Sequence, residues 1–283
     1  LVAGGNFREA GITSASMVAR WDGEDWHAMG AGFARNQPDH FGVSPEIYDF
    51  QEFNDELVAV GGFDRSGGAS LRRIGRWDGV AWRELSAGIY EDIFAQVDYA
   101  TPMSLEPYNG WLYVGGRFTF PGGASGPYRN LAGWTGTGWV ALGPITAPMP
   151  LINNNLRALA VYEGELVAGG TFNSAVGVQV SNVAAWNGTT WRPLGDGSAG
   201  ATNGLIRTFT THAGELIAGG EFTRIGAVPA PYAAAWDGSA WRALGGDLAS
   251  GLNDSVYSMV EFNRELIAGG TFTAASGLPA NRL

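Results

Sequence analysis

An all-β fold built from repeated four-stranded sheets is predicted by three observations. A glycine-bearing apolar phrase recurs six times along the 283 residues, and a second phrase, Trp-x-Gly-x-x-Trp, follows it five times. No stretch carries the 3.6-residue periodicity of a helix of ordinary length.

The first phrase, Leu-hydrophobic-Ala-Gly-Gly-x-Phe, stands at Leu1 to Phe7, Leu166 to Phe172, Leu216 to Phe222 and Leu266 to Phe272, with a variant from Leu112 to Phe118. A sixth copy, Val58-Ala59-Val60-Gly61-Gly62-Phe63, reads one residue short between the glycines and the Phe. The first glycines, at 4, 61, 115, 169, 219 and 269, are then 50 to 57 residues apart. The Gly-Gly strands begin near 1, 57, 112, 166, 216 and 266.

The second phrase joins Trp21 to Trp26, Trp77 to Trp82, Trp134 to Trp139, Trp186 to Trp191 and Trp236 to Trp241, with Thr135 in one copy where the others have Asp or Asn. An alternating apolar segment such as Leu156-Arg157-Ala158-Leu159-Ala160-Val161-Tyr162 precedes each Gly-Gly run but the first. The unit is therefore strand a, strand b with Gly-Gly, strand c ending in Trp, and strand d opening near Trp.

Asn-Gly and Asp-Gly favour a two-residue type I′ turn, which predicts a tight c–d hairpin. It pairs Trp186 with Thr189 and sets Ala19, Gly75, Ala132, Ala184 or Ala234 opposite the second Trp. Val183 and Leu194 make the other face apolar, so each sheet needs neighbours on both faces. Glycine inside a strand marks a close backbone approach. A four-stranded unit of this period matches a blade of a β-propeller. Six blades are expected in a single domain over residues 1–283, the last stopping at Asn281-Arg282-Leu283. The chain opens inside a strand and reads as a piece of a longer protein. Burying one Trp is worth on the order of 5 kcal/mol gross, so the ten paired tryptophans read as core. Trp111, outside the phrase, is the freer aromatic for a surface contact.

The Gly-Gly strand followed by a Trp strand resembles kelch-type propeller repeats. The phrase Leu266-Ile267-Ala268-Gly269-Gly270-Thr271-Phe272 with Leu278-Pro279-Ala280-Asn281-Arg282-Leu283 is similar to the delta-60 repeats of secreted bacterial proteins and to repeats of fungal cortical polarity markers. The resemblance implies a propeller and an extracellular, cell-surface or periplasmic setting. It names no chemistry, because the shared residues are structural.

Formal net charge is −10, and all 17 basic residues are arginine. Residues 1–110 hold 17 acids against 8 arginines. Nucleic-acid binding through a basic patch is excluded by this balance. No apolar run reaches the length of a membrane-spanning helix. With no cysteine, disulfides, thiolate metal sites, cysteine nucleophiles and Cys–Tyr copper oxidase chemistry are out. His27, His40 and His212 fall at different phases of the repeat, and no nucleophile elbow, P-loop or EF-hand series occurs.

The remaining candidates are acidic. Asp49, Glu52, Asp55 and Glu56 surround the second a–b turn, while Glu91, Asp92 and Asp98 lie in a long d–a connector. They suit a basic partner, with Ca²⁺ as a lesser use of the same oxygens; no cofactor is expected. The expected function is a non-enzymatic interaction or scaffold module, whose partner surface uses Asp49, Glu52, Asp55, Glu56, Glu91, Asp92 and Trp111. The alternative is a carbohydrate-binding propeller with repeated inter-blade pockets. A hydrolase or lyase built from loop carboxylates is the third reading.

Overall fold

The computed structural model describes residues 1–35, 45–90, 100–118, 120–121, 130–141, 145–146, 155–195, 202–244, 251–275 and 277–280. The candidates Glu91 and Asp92, with Asp98, His40 and the terminal Asn281-Arg282-Leu283, lie outside these residues. The chain divides into two compact units, Leu1–Pro144 and Ile145–Leu283. Both are all-β; no helix occurs among the described residues.

Among the described residues the first unit contains three sheets of three or four strands, besides two-stranded ones. Sheet I holds strands b, c and d, at Val2–Gly4, Val18–Trp21 and Trp26–Ala28. Sheet II has strands a to d at Ile47–Phe53, Glu56–Gly61, Ile74–Trp77 and Trp82–Glu84. Sheet III has them at Thr101–Tyr108, Trp111–Arg117, Leu131–Trp134 and Trp139–Ala141. In the second unit, sheet IV spans Asn155–Tyr162, Glu165–Thr171, Val183–Trp186 and Trp191–Pro193. Sheet V spans Ile206–His212, Glu215–Gly220, Ala233–Trp236 and Trp241–Ala243. Sheet VI shows strands a and b, Val256–Phe262 and Glu265–Gly270. The strand order is a-b-c-d in all four complete sheets, each an antiparallel meander.

The turn chemistry differs from the sequence expectation. The c–d connection is a four-residue loop, so Trp186 pairs with Trp191, not with Thr189, and Ala184 faces Pro193. The first loop side chain decides this. Asn187 Oδ1 accepts the N–H groups of Thr189 and Thr190, both at 2.9 Å. Asp22, Asp78 and Asp237 do the same through a carboxylate oxygen, and Thr135 through its hydroxyl. Such a side chain satisfies two loop donors at once, which a two-residue turn leaves it no room to do. The paired tryptophans consequently lie ring to ring, with centroids 5.2–5.5 Å apart in all five copies. The two-residue turn sits between a and b instead. There both central residues have positive φ, as at Asn54 (51°) and Asp55 (61°) or Asn109 (48°) and Gly110 (79°).

The register also reassigns the second Gly-Gly copy. Val60 lies opposite Ile74, as Gly4 lies opposite Val18 and Gly169 opposite Val183. Val60 is thus the counterpart of the first glycine, and Gly61 of the second. No residue is missing; one glycine is replaced. The exchange follows what the next inner strand brings. A Cβ on Gly4 would lie 2.3 Å from Phe50, and one on Gly219 would lie 2.8 Å from Met259. In sheet III the counterpart of Phe50 is the smaller Leu105, which shares a core with Val60. The second glycine serves the backbone: a Cβ on Gly61, Gly116, Gly170, Gly220 or Gly270 would lie 2.0–2.3 Å from a carbonyl oxygen at or immediately before the start of strand a.

Within each unit consecutive sheets pack face to face. Val58, Val60, Ile74 and Leu85 of sheet II meet Leu112, Val114, Ala132, Trp134 and Trp139 of sheet III. Val167, Val183 and Leu194 of sheet IV meet Leu216, Ala218, Trp236 and Trp241 of sheet V. The apolarity of both faces, expected from Val183 and Leu194, has this cause. Four of the ten motif tryptophans (Trp82, Trp191, Trp236 and Trp241) are buried and none is exposed. Miniature hairpins, such as Arg65–Ser66 with Ala69–Ser70, fill the b–c connections, and the preceding d–a connector bridges to them, as Ala34 does to Arg65.

Candidate functional site

The acids around the second a–b turn point in different directions. Asp49 stands beside a β-bulge of strand a, and its carboxylate accepts N–H groups from Phe50 (2.8 Å) and, in sheet III, from Leu105 (2.7 Å), with the Ser104 side chain bonded as well. Loss of hydration outweighs these bonds and pushes its pKa up to about 6. Asp49 is a tie between two sheets. Glu52 and Asp55 are exposed, while Glu56 is half-buried and ion-paired to Arg76. Among the described residues no three His, Asp or Glu side chains gather closely enough to share a metal ion.

Trp111 opens strand b of sheet III in the place held elsewhere by Glu56, Glu165 and Glu215. It sits over Gly133 and beside Tyr113, whose hydroxyl is pushed up to about 12 by burial and by Tyr108. Two residues from Tyr113, it shares that face of the sheet, opposite to the one carrying Trp134.

Between sheets II and III lies a cleft of about 290 Å³. Sheet II supplies Phe53, Asn54, Glu56, Arg76, Glu84 and Ser86, and sheet III supplies Trp134 and Gly136. Glu56 is the one sequence candidate that lines it. Asp55 is next in the chain to Asn54.

The other cleft residues escape a motif search, yet the repeat register singles out two of them. Arg76 occupies a position held by Gly133, Ala185 and Ala235 in sheets III to V, with Arg20 in sheet I. Glu84 stands where the others have Ala28, Ala141, Pro193 and Ala243. These departures rewire the charges. In sheets IV and V, Arg192 and Arg242 reach across to Glu165 and Glu215 with two N–H groups each. In sheet II the equivalent Arg83 turns to Asp78 at 2.7 Å, and Arg76 takes Glu56. Asp78, further bonded to Val80 and Ala81, is held well below the usual carboxylate range. Among the described residues Glu84 has no hydrogen-bond or ion-pair partner.

At the corresponding junction of sheets IV and V, the Tyr162 hydroxyl donates to the Gly214 carbonyl (3.1 Å) and the Trp241 indole N–H to the Leu194 carbonyl (3.0 Å). Phe53 replaces Tyr162 in sheet II and has no hydroxyl to span the gap. The cleft therefore offers two aromatic rings, one neutralised ion pair and one unpaired carboxylate. It contains no arranged nucleophile and base.

No family model matches the chain, and no curated protein matches it. Among solved structures, the computationally designed Ika8 protein is similar at 14% identity and a TM-score of 0.37, covering 84% of this chain and 72% of that one. No helix among the described residues is long and apolar enough to cross a membrane.

Proposed function

We propose that the chain is a non-enzymatic interaction module, a kelch- or delta-60-like propeller of six blades, exported or surface-exposed and working within a larger protein or assembly. The observation that supports this reading is the concentration of charge departures in sheet II. Asp22, Asp78 and Asp237 secure c–d loops, Glu165 and Glu215 pair with arginines, and Asp49 ties two strands. Each of these carboxylates has a structural role. In sheet II, Arg76 and Glu84 depart from the repeat close to the exposed carboxylates Glu52 and Asp55, and departures from a repeated scaffold are where binding surfaces are placed. The acidity of residues 1–110 favours a basic partner.

The test is affinity capture from the native source with the wild-type chain and with a Glu52→Gln/Asp55→Asn/Glu84→Gln variant. A polypeptide retained by the first and lost by the second supports the module. Retention by both moves the surface elsewhere, and hydrolytic or lyase activity in the purified chain overturns the reading.

A further inference from the structure

We infer that the cleft between sheets II and III receives an arginine side chain of a protein partner, the guanidinium lying between the Trp134 ring and the Glu84 carboxylate. The inference rests on the interaction-module reading and names what the partner brings. Three observations lead to it. The cleft, about 290 Å³, lies at the small end of ligand pockets and suits one long side chain. Its lining includes two aromatic rings, Phe53 and Trp134, a side-chain type whose faces attract a cation. Its charges also leave one carboxylate over, because Arg76 neutralises Glu56 and Arg83 is drawn away to Asp78.

The chain itself shows the preferred occupant. At two equivalent blade positions a carboxylate grips a guanidinium through two N–H donors, Arg192 on Glu165 and Arg242 on Glu215. In sheet II the counterpart of Glu165 and Glu215 is Glu56, which already holds Arg76, and Arg83 is engaged on Asp78, so Glu84 is the carboxylate left for an incoming guanidinium. Arginine fits better than lysine because its planar fork both stacks on a ring and pairs with a carboxylate. A neutral saccharide would also stack on Trp134, but it would leave the Glu84 charge without a counter-ion.

The probe is the capped tripeptide Gly-Arg-Gly at millimolar concentration, with the Gly-citrulline-Gly analogue and maltotriose as comparisons. The readout is the indole N–H spectrum of the protein, the Trp134 signal being assigned by its loss in Trp134→Phe. The arginine peptide is expected to shift the Trp134 signal saturably and more weakly as salt rises. Glu84→Gln, on an exposed strand end, is expected to weaken binding at least ten-fold with an unchanged unfolding midpoint. Equal binding of the citrulline peptide, a Trp134 shift with maltotriose alone, or no shift with any probe overturns the assignment. If the cleft fails here while the capture variant still loses a partner, the module stands and only the cleft assignment falls. If capture fails as well, the module reading falls with it.

Discussion

Adding one methyl group at two equivalent glycines is expected to have opposite consequences. Gly61 and Gly5 occupy the same repeat position and belong to the same compact unit, but among the described residues a strand a lies beside Gly61 and none lies beside Gly5. In Gly61→Ala the new Cβ would lie 2.2 Å from the Glu46 carbonyl oxygen and 3.0 Å from the Ile47 Cα. An ordinary carbon–oxygen contact is about 3.3 Å or longer, so strand a must retreat by about 1 Å. The Gly62 N–H bond to Glu46 (2.8 Å) is then lost, worth about 1 kcal/mol. Displacing buried Ile47 from its core adds about 1–3 kcal/mol. The stiffer unfolded chain returns about 0.5 kcal/mol, leaving a net loss of about 1.5–3.5 kcal/mol. In Gly5→Ala the nearest atom belongs to Phe7 at 3.8 Å, an ordinary contact, and a change of at most about 0.5 kcal/mol in the stabilising direction is expected. Urea unfolding followed by tryptophan fluorescence compares the two. Equal losses would show that glycine is required by strand b itself and refute the argument from the neighbouring strand.

Other consequences follow from single residues. The folded-state pKa of Asp49, about 6, exceeds its ordinary value of 3.8, so its protonated form is favoured by folding. That contribution is complete below about pH 4, fades as pH rises through 6, and is bounded by about 3 kcal/mol. The stability difference between wild type and Asp49→Asn, measured by urea unfolding, should fall across that window; a constant or rising difference contradicts the burial argument. Val60→Gly should cost about 2–4 kcal/mol, and Leu105→Phe in that background should recover about 1 kcal/mol by recreating the Phe–Gly pair seen at Phe50 and Gly4. Additive effects in this cycle would refute the size match. Asn187→Ala removes two loop acceptor bonds and should cost about 1 kcal/mol in thermal unfolding, whereas Asn187→Asp, which keeps the acceptor, should be close to neutral.

The strand plan was legible because its signals are local. Alternation from Leu156 to Tyr162 marked strand a, paired glycines marked strand b, and the fixed Trp–Trp spacing marked the c–d hairpin. What escaped depended on competition between local options. Asn-Gly reads as a type I′ turn until the side chain of Asn187 is allowed to hold two N–H groups, while the actual type I′ turns carry varied pairs such as Asn54-Asp55 and Glu163-Gly164. Val60 looked like a deletion because the glycine phrase was matched by identity; only pairing with Ile74 restores its register. The two-residue strands of the b–c hairpins are too short for any periodic signal. For the candidate site, acidity drew attention to sheet II and, through Glu56, to the edge of the cleft. Arg76, Glu84 and Trp134 were hidden because each is ordinary by itself. Their meaning comes from comparison with Ala185, Pro193 and the paired arginines of the neighbouring repeats. Asp49 shows the converse, a carboxylate placed by an inter-strand bond that no sequence spacing announces.

The chain's lack of lysine makes one measurement unusually direct. Zero-length carbodiimide coupling joins carboxylates to amines, and these 283 residues contain no lysine. In a complex reconstituted from this 283-residue chain and its captured partner, a coupled carboxylate of the chain therefore reports an amine of the partner, links to the chain's own N-terminal amine aside. Mass spectrometric mapping should place those links on Glu52, Asp55 and Glu84, around the cleft of sheet II. Links confined to the acids of residues 145–283 would contradict an acidic binding face built on that sheet.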